Sequence, residues 1–388
     1  MSVSALMNTY GERKTTLTKG DGPYLWDSEG RRYLDALSGI AVCGLGYNYP
    51  SVTQAISEQA KTLIHCSNLF LIEPQQELGK LLVQASGMDK VFFSNSGAEA
   101  NEAAIKLARK YAQDKGITAP HIITCDKSFH GRTMATLSAT GNPKVKAGFF
   151  PMVEGFSHVP YNDIEAIKQA ATENTIAIMV EPIQGEGGVN VPADDYLTNL
   201  RALCDENGWL LILDEIQTGN GRTGAYFAYQ HTNIHPDVVT TAKGLGNGVP
   251  IGACLAKGKA AEVFQPGNHG STFGGNPLAC SAAVATFKAL VNDGIMKSGA
   301  STGNSMIAKF KERFANNPKV VEVKGQGMMM GIQLSQDCPT LVERAKEKNL
   351  LLNVTAGNTI RLLPPLILTE EQAQAVVDTV VQLVEEIE

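Results

Sequence analysis

The chain lacks the features of membrane-bound and exported proteins. Its 388 residues contain no run that approaches the ~18 consecutive apolar residues a membrane span needs. Residues 1–10 have no basic segment followed by a continuous apolar core, so no secretory signal is predicted. We therefore expect a cytoplasmic protein with no membrane partner.

Cysteine and basic charge are also scarce. The seven cysteines are scattered and never form a C-x-x-C pair, which argues against a disulfide framework and a zinc knuckle. His231 and His235 have i, i+4 spacing, but Asn233 and Pro236 disfavour a helix and no glutamate follows His231, so no metal site is predicted. The formal net charge of -6 lacks the basic excess of a nucleic-acid binder, so we expect no such partner.

What the chain contains is a repeated strand–turn–helix pattern. Between about residues 90 and 280, short apolar segments lead into polar or glycine-bearing turns and then into helical stretches, which is typical of a doubly wound α/β sheet. After residue 281 longer helical patterns dominate. We predict a large doubly wound α/β domain at 51–280 with a mostly parallel central sheet, a smaller α+β domain at 281–388, and an N-terminal segment, 1–50, packing with the small domain.

The predicted strands of the sheet, 91–93, 121–125, 176–180, 209–213 and 238–241, mostly end in polar residues. Ligands of open α/β sheets bind at the carboxyl ends of strands. Lys243 follows the last strand, and its small neighbours Ala242 and Gly244 leave room for a flat ligand beside an amine that can form a Schiff base. The alternative is a lysine that only extends to solvent.

Asp214 ends five consecutive apolar residues, so its carboxylate is expected at the mouth of a buried strand, where a charge needs a partner. A metal, a buried Arg or Lys, or a protonated ring nitrogen of a cofactor would serve. An ATP hydrolase built on Asp214 and Glu215 is the rival, but no G-x-x-x-x-G-K-[ST] loop is present. The glycines at 244–248 and 325–331 also miss the dinucleotide-binding spacing.

Further candidates lie at other strand ends. Gly97 and Ala98 open a helix directly after a strand, which predicts either a phosphate cup or an ordinary capped helix. Phe129 could stack on a planar ring, and Arg132 offers a fork for a carboxylate unless it pairs with Asp126. Arg361 lies among apolar residues and also needs an anionic partner.

These features occur in an order that closely resembles the class III (ω) aminotransferases, over nearly the whole chain. The matching stretches are SNSGAEANE (94–102), FHGRT (129–133), EPIQGEGG (181–188), DEIQTG (214–219) with GRTG (221–224), TAKGLG (241–246) and STFGGN (271–276). The resemblance implies pyridoxal 5'-phosphate as cofactor and the fold type I of transferases that depend on it.

By this resemblance, Lys243 carries the cofactor and moves the proton, and Asp214 pairs with the ring nitrogen. The remaining implied cofactor contacts are Gly97 and Ala98 to the phosphate, Phe129 to the ring face, Gln217 to the phenolic oxygen and Thr272 to the phosphate of the other subunit. The last contact implies a homodimer with shared active sites.

Within the class, the segments CSNLF (66–70) and IRLLPPL (360–366) most resemble enzymes that act on N2-acetylornithine. We therefore expect transfer of its δ-amino group to 2-oxoglutarate, a step of arginine biosynthesis. The resemblance places Arg132 and Ser271 near the amine donor and Arg361 at the α-carboxylate of 2-oxoglutarate. Glu186 would pair with Arg361 when the donor is bound. Ornithine, succinylornithine, succinyldiaminopimelate and 4-aminobutyrate remain alternative donors, and a catalytically silent protein on the same fold is a further alternative.

Overall fold

The computed structural model describes residues 5–387; residues 1–4 and 388, which belong to the predicted terminal units, lie outside the described residues. The strands are β1 (Leu17–Asp21), β2 (Tyr24–Asp27), β3 (Arg32–Asp35), β4 (Lys90–Ser94), β5 (His121–Cys125), β6 (Phe156–Val159), β7 (Thr175–Val180), β8 (Leu210–Asp214), β9 (Val238–Thr241), β10 (Gly252–Ala256), β11 (Val320–Gln326), β12 (Met329–Leu334), β13 (Leu350–Leu351), β14 (Asn353–Thr355) and β15 (Thr359–Leu362).

The helices follow in the same order. They are α1 (Ser38–Ala41), α2 (Pro50–Thr62), α3 (Glu73–Ser86), α4 (Gly97–Asp114), α5 (Met134–Ala139), α6 (Pro143–Lys146), α7 (Ile164–Ala170), α8 (Tyr196–Asn207), α9 (Pro277–Asn292), α10 (Ile295–Phe314), α11 (Leu341–Glu347) and α12 (Glu370–Glu385). Short 3₁₀ turns cover Ala228–His231, Lys243–Gly246 and Gly258–Glu262.

The central sheet has seven strands in the order β4-β10-β9-β8-β7-β5-β6. Strands β9, β8, β7, β5 and β6 pair in parallel, and β10 pairs antiparallel with both β4 and β9. Every residue of β7 and β8 is buried, as their unbroken apolar runs predict for strands covered on both faces. The predicted α/β class with a mostly parallel sheet is confirmed, although β6 and β10 were missed.

Two four-stranded sheets flank this core, in the orders β1-β2-β3-β13 and β11-β12-β15-β14. Strand β3 pairs in parallel with β13, which joins the N-terminal hairpin to the C-terminal part of the chain. Helix α9 spans the predicted boundary at residue 281, and its buried residues contribute to two hydrophobic clusters. The division of the chain into domains stays a prediction.

In residues 5–387, no single helix has the length and apolar character to cross a membrane. Helices α9 and α10 meet that test of length and composition only when they are taken together, and the pair is bent by 65°.

Candidate active site

Most of the predicted site residues line one cavity of about 440 Å³ at the carboxyl ends of β8 and β9. Those that the structure brings together there are Gly97, Ala98, Phe129, Arg132, Glu186, Asp214, Gln217 and Lys243. The walls also include residues that sequence reasoning did not select as site residues, among them His130 and Glu181. A wider groove of about 1030 Å³ shares Phe129, Arg132, Glu186 and Lys243 with this cavity and leads outward from it.

Lys243 lies two residues after β9 and lines the cavity instead of extending away from it. Its φ of 45° falls in the left-handed region, which a lysine adopts at a cost and which is often found at functional sites. Within residues 5–387 its Nζ makes no hydrogen bond. Burial lowers the pKa of Lys243, while the charge of Glu186 opposes that shift. The amine is therefore more readily neutral, and more nucleophilic, than an exposed lysine.

Asp214 ends β8 and is 3% exposed, as the apolar run before it predicts. Its Oδ1 accepts the backbone N–H of Ile216 at 3.1 Å, and its Oδ2 accepts from Asn101 Nδ2 at 2.8 Å. The same Oδ2 lies 2.8 Å from His130 Nδ1. From the sequence, the expected partner of this carboxylate was a metal, an Arg or Lys, or a ring nitrogen of a cofactor. The structure shows a partner that was not expected, the imidazole of His130.

His130 is completely enclosed, and within the described part of the chain its Nε2 has no hydrogen-bond partner. Burial lowers the pKa of His130, but the hydrogen bond and charge of Asp214, with the charge of Glu181, raise the pKa above its ordinary value. The raised pKa favours a protonated imidazole, whose Nδ1–H donates to Asp214 Oδ2. The only sequence signal for this role was the position of His130 beside Phe129 at a strand end.

The start of helix α4 is the place where the sequence predicts a phosphate cup. Ser96 caps the helix by accepting the N–H of Glu99 at 3.2 Å, but the N–H groups of Gly97 and Ala98 have no acceptor among residues 5–387. A Cβ on Gly97 would lie 2.7 Å from Ile216 Cδ1, so the close packing of this turn requires glycine. Two free N–H groups at a helix N-terminus form a site for an anion.

Phe129 and Arg132 both line the cavity, and both also line the wider groove. The guanidinium of Arg132 is 5.5 Å from the centre of the Phe129 ring. Arg132 is exposed and forms no ion pair within residues 5–387, so the alternative pairing with Asp126 is not present. Its hydrogen-bonding fork is available to a carboxylate.

Arg361 and Glu186 form an ion pair beside the cavity, in which Glu186 lines the cavity and Arg361 is completely buried and does not line it. Arg361 Nη1 lies 2.6 Å from Glu186 Oε1 and 3.3 Å from Gln217 Oε1, and Arg361 Nε donates to Asn353 Oδ1 at 3.2 Å. Its buried Nη2 has no partner in the described residues. Burial raises the pKa of Glu186, but the charge and hydrogen bond of Arg361 outweigh it and lower the pKa.

Ser271 and Thr272 lie elsewhere, in a separate pocket of about 350 Å³. Ser271 Oγ accepts from Asn95 Nδ2 at 3.3 Å, and Asn95 lines both pockets. Thr272 is exposed and does not line the cavity of Lys243. Both residues therefore lie outside the main site of a single chain. The resemblance implies that Thr272 serves the site of the other subunit.

The chemistry of this cavity fits pyridoxal 5'-phosphate. The free N–H groups of Gly97 and Ala98 suit the phosphate, and the Asp214 carboxylate suits a protonated ring nitrogen. The unpaired amine of Lys243 suits the aldehyde, and the ring of Phe129 supplies an aromatic surface for stacking.

Comparison with known proteins points in one direction. The family model "Aminotransferase class-III" matches residues 7–384. The acetylornithine aminotransferase of Nitrosomonas europaea is 54% identical over 384 residues, which cover 98% of each chain. Acetylornithine aminotransferase 1 of Bordetella pertussis is 50% identical over 99% of this chain and 98% of the relative.

Solved structures of similar proteins cover nearly the whole chain. The ornithine aminotransferase of Toxoplasma gondii superposes with a TM-score of 0.93 at 33% identity, over 97% of this chain and 92% of the other. The N-acetylornithine aminotransferase of Stenotrophomonas maltophilia gives a TM-score of 0.84 at 36% identity, over 97% of each chain.

Proposed function

Since this chain belongs to the class III aminotransferases, which depend on pyridoxal 5'-phosphate, we propose that it transfers the δ-amino group of N2-acetylornithine to 2-oxoglutarate. The products are N-acetylglutamate 5-semialdehyde and glutamate, in arginine biosynthesis. The observation that carries the proposal is the meeting of an unpaired lysine amine, a buried carboxylate and a helix N-terminus in one cavity.

The residues divide the work of the reaction. When bound, the cofactor supplies an aldehyde that accepts the amino group and a ring that stabilises negative charge on the reacting carbon. Lys243 Nζ, with its lowered pKa, takes the proton from the carbon that bears the amine and returns it at the next step. Asp214, held in place by His130 and Asn101, would pair with the protonated ring nitrogen of the cofactor.

The two substrates place different groups beside the reacting carbon. In N2-acetylornithine the δ-carbon is bonded to the amine and to one methylene group, and the carboxylate lies at the far end, where exposed Arg132 can bind it. In 2-oxoglutarate a carboxylate is attached directly to the reacting carbon. The Glu186–Arg361 pair suits both substrates. When closed, it presents no net charge to the methylene chain of N2-acetylornithine, and when Glu186 is displaced, the free guanidinium binds the α-carboxylate of 2-oxoglutarate.

N2-acetylornithine is preferred over the alternative donors because relatives named for it reach 54% identity over nearly the full chain. Solved structures named for ornithine aminotransferase reach 33–34% identity. The test is to measure kcat/KM for N2-acetylornithine, ornithine, succinylornithine and 4-aminobutyrate, each with 2-oxoglutarate. We expect the first to have the highest value, and a clear preference for another donor would overturn the assignment.

We further propose a homodimer, in which Thr272 of each chain reaches the phosphate in the other site. Support comes from exposed apolar side chains near Thr272, since Phe273 is 59% exposed and Leu69, Phe70 and Leu71 are 87%, 67% and 91% exposed. Asn68 donates to the backbone carbonyl of Ser271 at 3.0 Å, which ties the two segments together. Sedimentation at several protein concentrations tests the proposed dimer.

We also propose a cytoplasmic location for the protein.

A further inference from the structure

Glu181 has a position in the site that the reaction described above does not use. It follows β7 directly, is 6% exposed and lines the cavity. Its Oε2 accepts the backbone N–H of Phe129 at 3.1 Å, and its Oε1 accepts the backbone N–H of Gly185 at 3.3 Å. One carboxylate therefore connects two loops that come from different strands of the sheet.

Each of these loops carries a residue with a task in the site. Phe129 provides the aromatic wall, and Gly185 precedes Glu186, which pairs with Arg361. The turn at Gly185 is tightly packed, since a Cβ there would lie 2.0 Å from Gln217 Oε1. A small displacement of the Gly185 backbone would consequently move Glu186 with respect to its arginine.

We propose that Glu181 is a positioning residue, whose carboxylate holds Phe129 against the cofactor ring and holds the Gly185 turn so that Glu186 reaches Arg361. The proposal rests on the assignment of the site as that of an aminotransferase. It predicts that loss of the carboxylate weakens cofactor binding and alters the balance between the two substrates.

The surroundings of Glu181 make this role sensitive to pH. Burial raises the pKa of Glu181 to about 7, opposed by the charge of His130 and assisted by that of Asp214. The other titratable groups that interact electrostatically with Glu181 are Lys243, Tyr161 and Cys125. Protonation removes the charge and turns one carboxylate oxygen into a hydroxyl, which is a weaker acceptor, so the bonds to the two N–H donors weaken. We expect cofactor affinity to decrease as the pH falls through about 7.

Glu181→Gln tests the proposal because it keeps the shape but retains only one acceptor oxygen. Glu215→Gln is the matched control: Glu215 is fully buried, and burial raises its pKa to about 7 too, but it bonds Tyr229 N–H and Thr218 outside the cavity. The dissociation constant of pyridoxal 5'-phosphate is measured by fluorescence titration of each apoprotein between pH 5.5 and 8.5, with KM for both substrates on the loaded enzymes.

At pH 8, Glu181→Gln should bind the cofactor roughly tenfold more weakly than the wild type, the effect expected for one charged hydrogen bond. Its cofactor affinity should no longer change near pH 7, and the ratio of its KM values for the two substrates should differ from that of the wild type. The Glu215→Gln protein should retain the wild-type pH dependence. Equal changes in both variants, or a wild-type affinity that is constant between pH 6 and 8, would overturn the proposal. Failure of the wild type to transaminate would refute the assigned function separately, because the binding titration does not require turnover.

Discussion

Removal of the Glu186 carboxylate should affect the two substrates in opposite directions. Arg361 is completely buried, and the carboxylate nearest to it in the structure is that of Glu186, at 2.6 Å. In the proposed reaction, the α-carboxylate of 2-oxoglutarate must displace Glu186 before it can bind this arginine. In Glu186→Ala there is nothing to displace, whereas the methylene chain of N2-acetylornithine must then lie against an uncompensated guanidinium.

The size of the effect follows from the bond that is lost. A hydrogen bond between charged groups contributes ~1.5–3 kcal/mol, and ~1.4 kcal/mol corresponds to a factor of ten. KM for 2-oxoglutarate should therefore fall roughly ten- to hundredfold in Glu186→Ala, and KM for N2-acetylornithine should rise. The variant should also be less stable than the wild type by about 3 kcal/mol, because a buried charge loses its partner.

Glu186→Gln separates charge from shape, since the amide oxygen can still accept from Arg361 without neutralising it. We expect both KM values to lie between those of the wild type and Glu186→Ala. Steady-state rates with each substrate varied at saturating levels of the other supply the numbers, and urea unfolding supplies the stability. If the two KM values moved in the same direction, or if KM for 2-oxoglutarate stayed constant, the pair would not act as a switch.

Three other predictions concern the cofactor and the fold. Lys243→Ala should lose the borohydride-reducible absorbance of the loaded wild type and its turnover, and turnover that survived would contradict the role of the amine. Gly252→Ala should lower the melting temperature and weaken cofactor binding, because its Cβ would lie 2.4 Å from the carbonyl oxygen of Ser96 at the start of α4. Gly44→Ala should change neither, because its Cβ would meet Leu366 Cδ1 at 3.8 Å, an ordinary van der Waals distance. The pKa of Glu215 is raised from 4.5 to about 7 in the folded chain, so between these pH values the folded chain holds a proton that the unfolded chain releases. The contribution of Glu215 to the free energy of unfolding therefore decreases as the pH rises through that interval, by up to roughly 3 kcal/mol. Urea unfolding at pH 5 and 8 should show a smaller decrease in Glu215→Gln.

The strands that carry Lys243 and Asp214 could be predicted because they are short, apolar and uninterrupted. Strand β9 has the predicted bounds, and β8 differs from the predicted segment by one residue at each end. Strand β10 was missed although it is apolar, because its antiparallel place between β4 and β9 depends on hydrogen bonds to strands distant in the sequence. The order of strands in a sheet depends on such long-range strand pairs, so a local sequence pattern cannot predict it.

The same reason limits prediction of the site. Glu186 and Arg361 are 175 residues apart in the sequence, and only the family resemblance suggested that they meet. The bond from His130 to Asp214 arises because β5 and β8 are separated by a single strand, β7. Glu181 was visible as part of a motif, but its link between two loops requires the positions of both backbones.

The two ion pairs of the site differ in their access to water, and this difference predicts that one stays closed and the other can open. Asp214 and His130 are 3% and 0% exposed, so water could reach neither group if the pair separated. Glu186 retains 30% exposure, although Arg361 has none. When a substrate carboxylate replaces it, Glu186 can turn toward the wider groove and regain water while the arginine keeps a partner. When one carboxylate is exchanged for another, the buried guanidinium of Arg361 always has an anionic partner. The exchange therefore avoids the energetic cost of an unpaired buried charge.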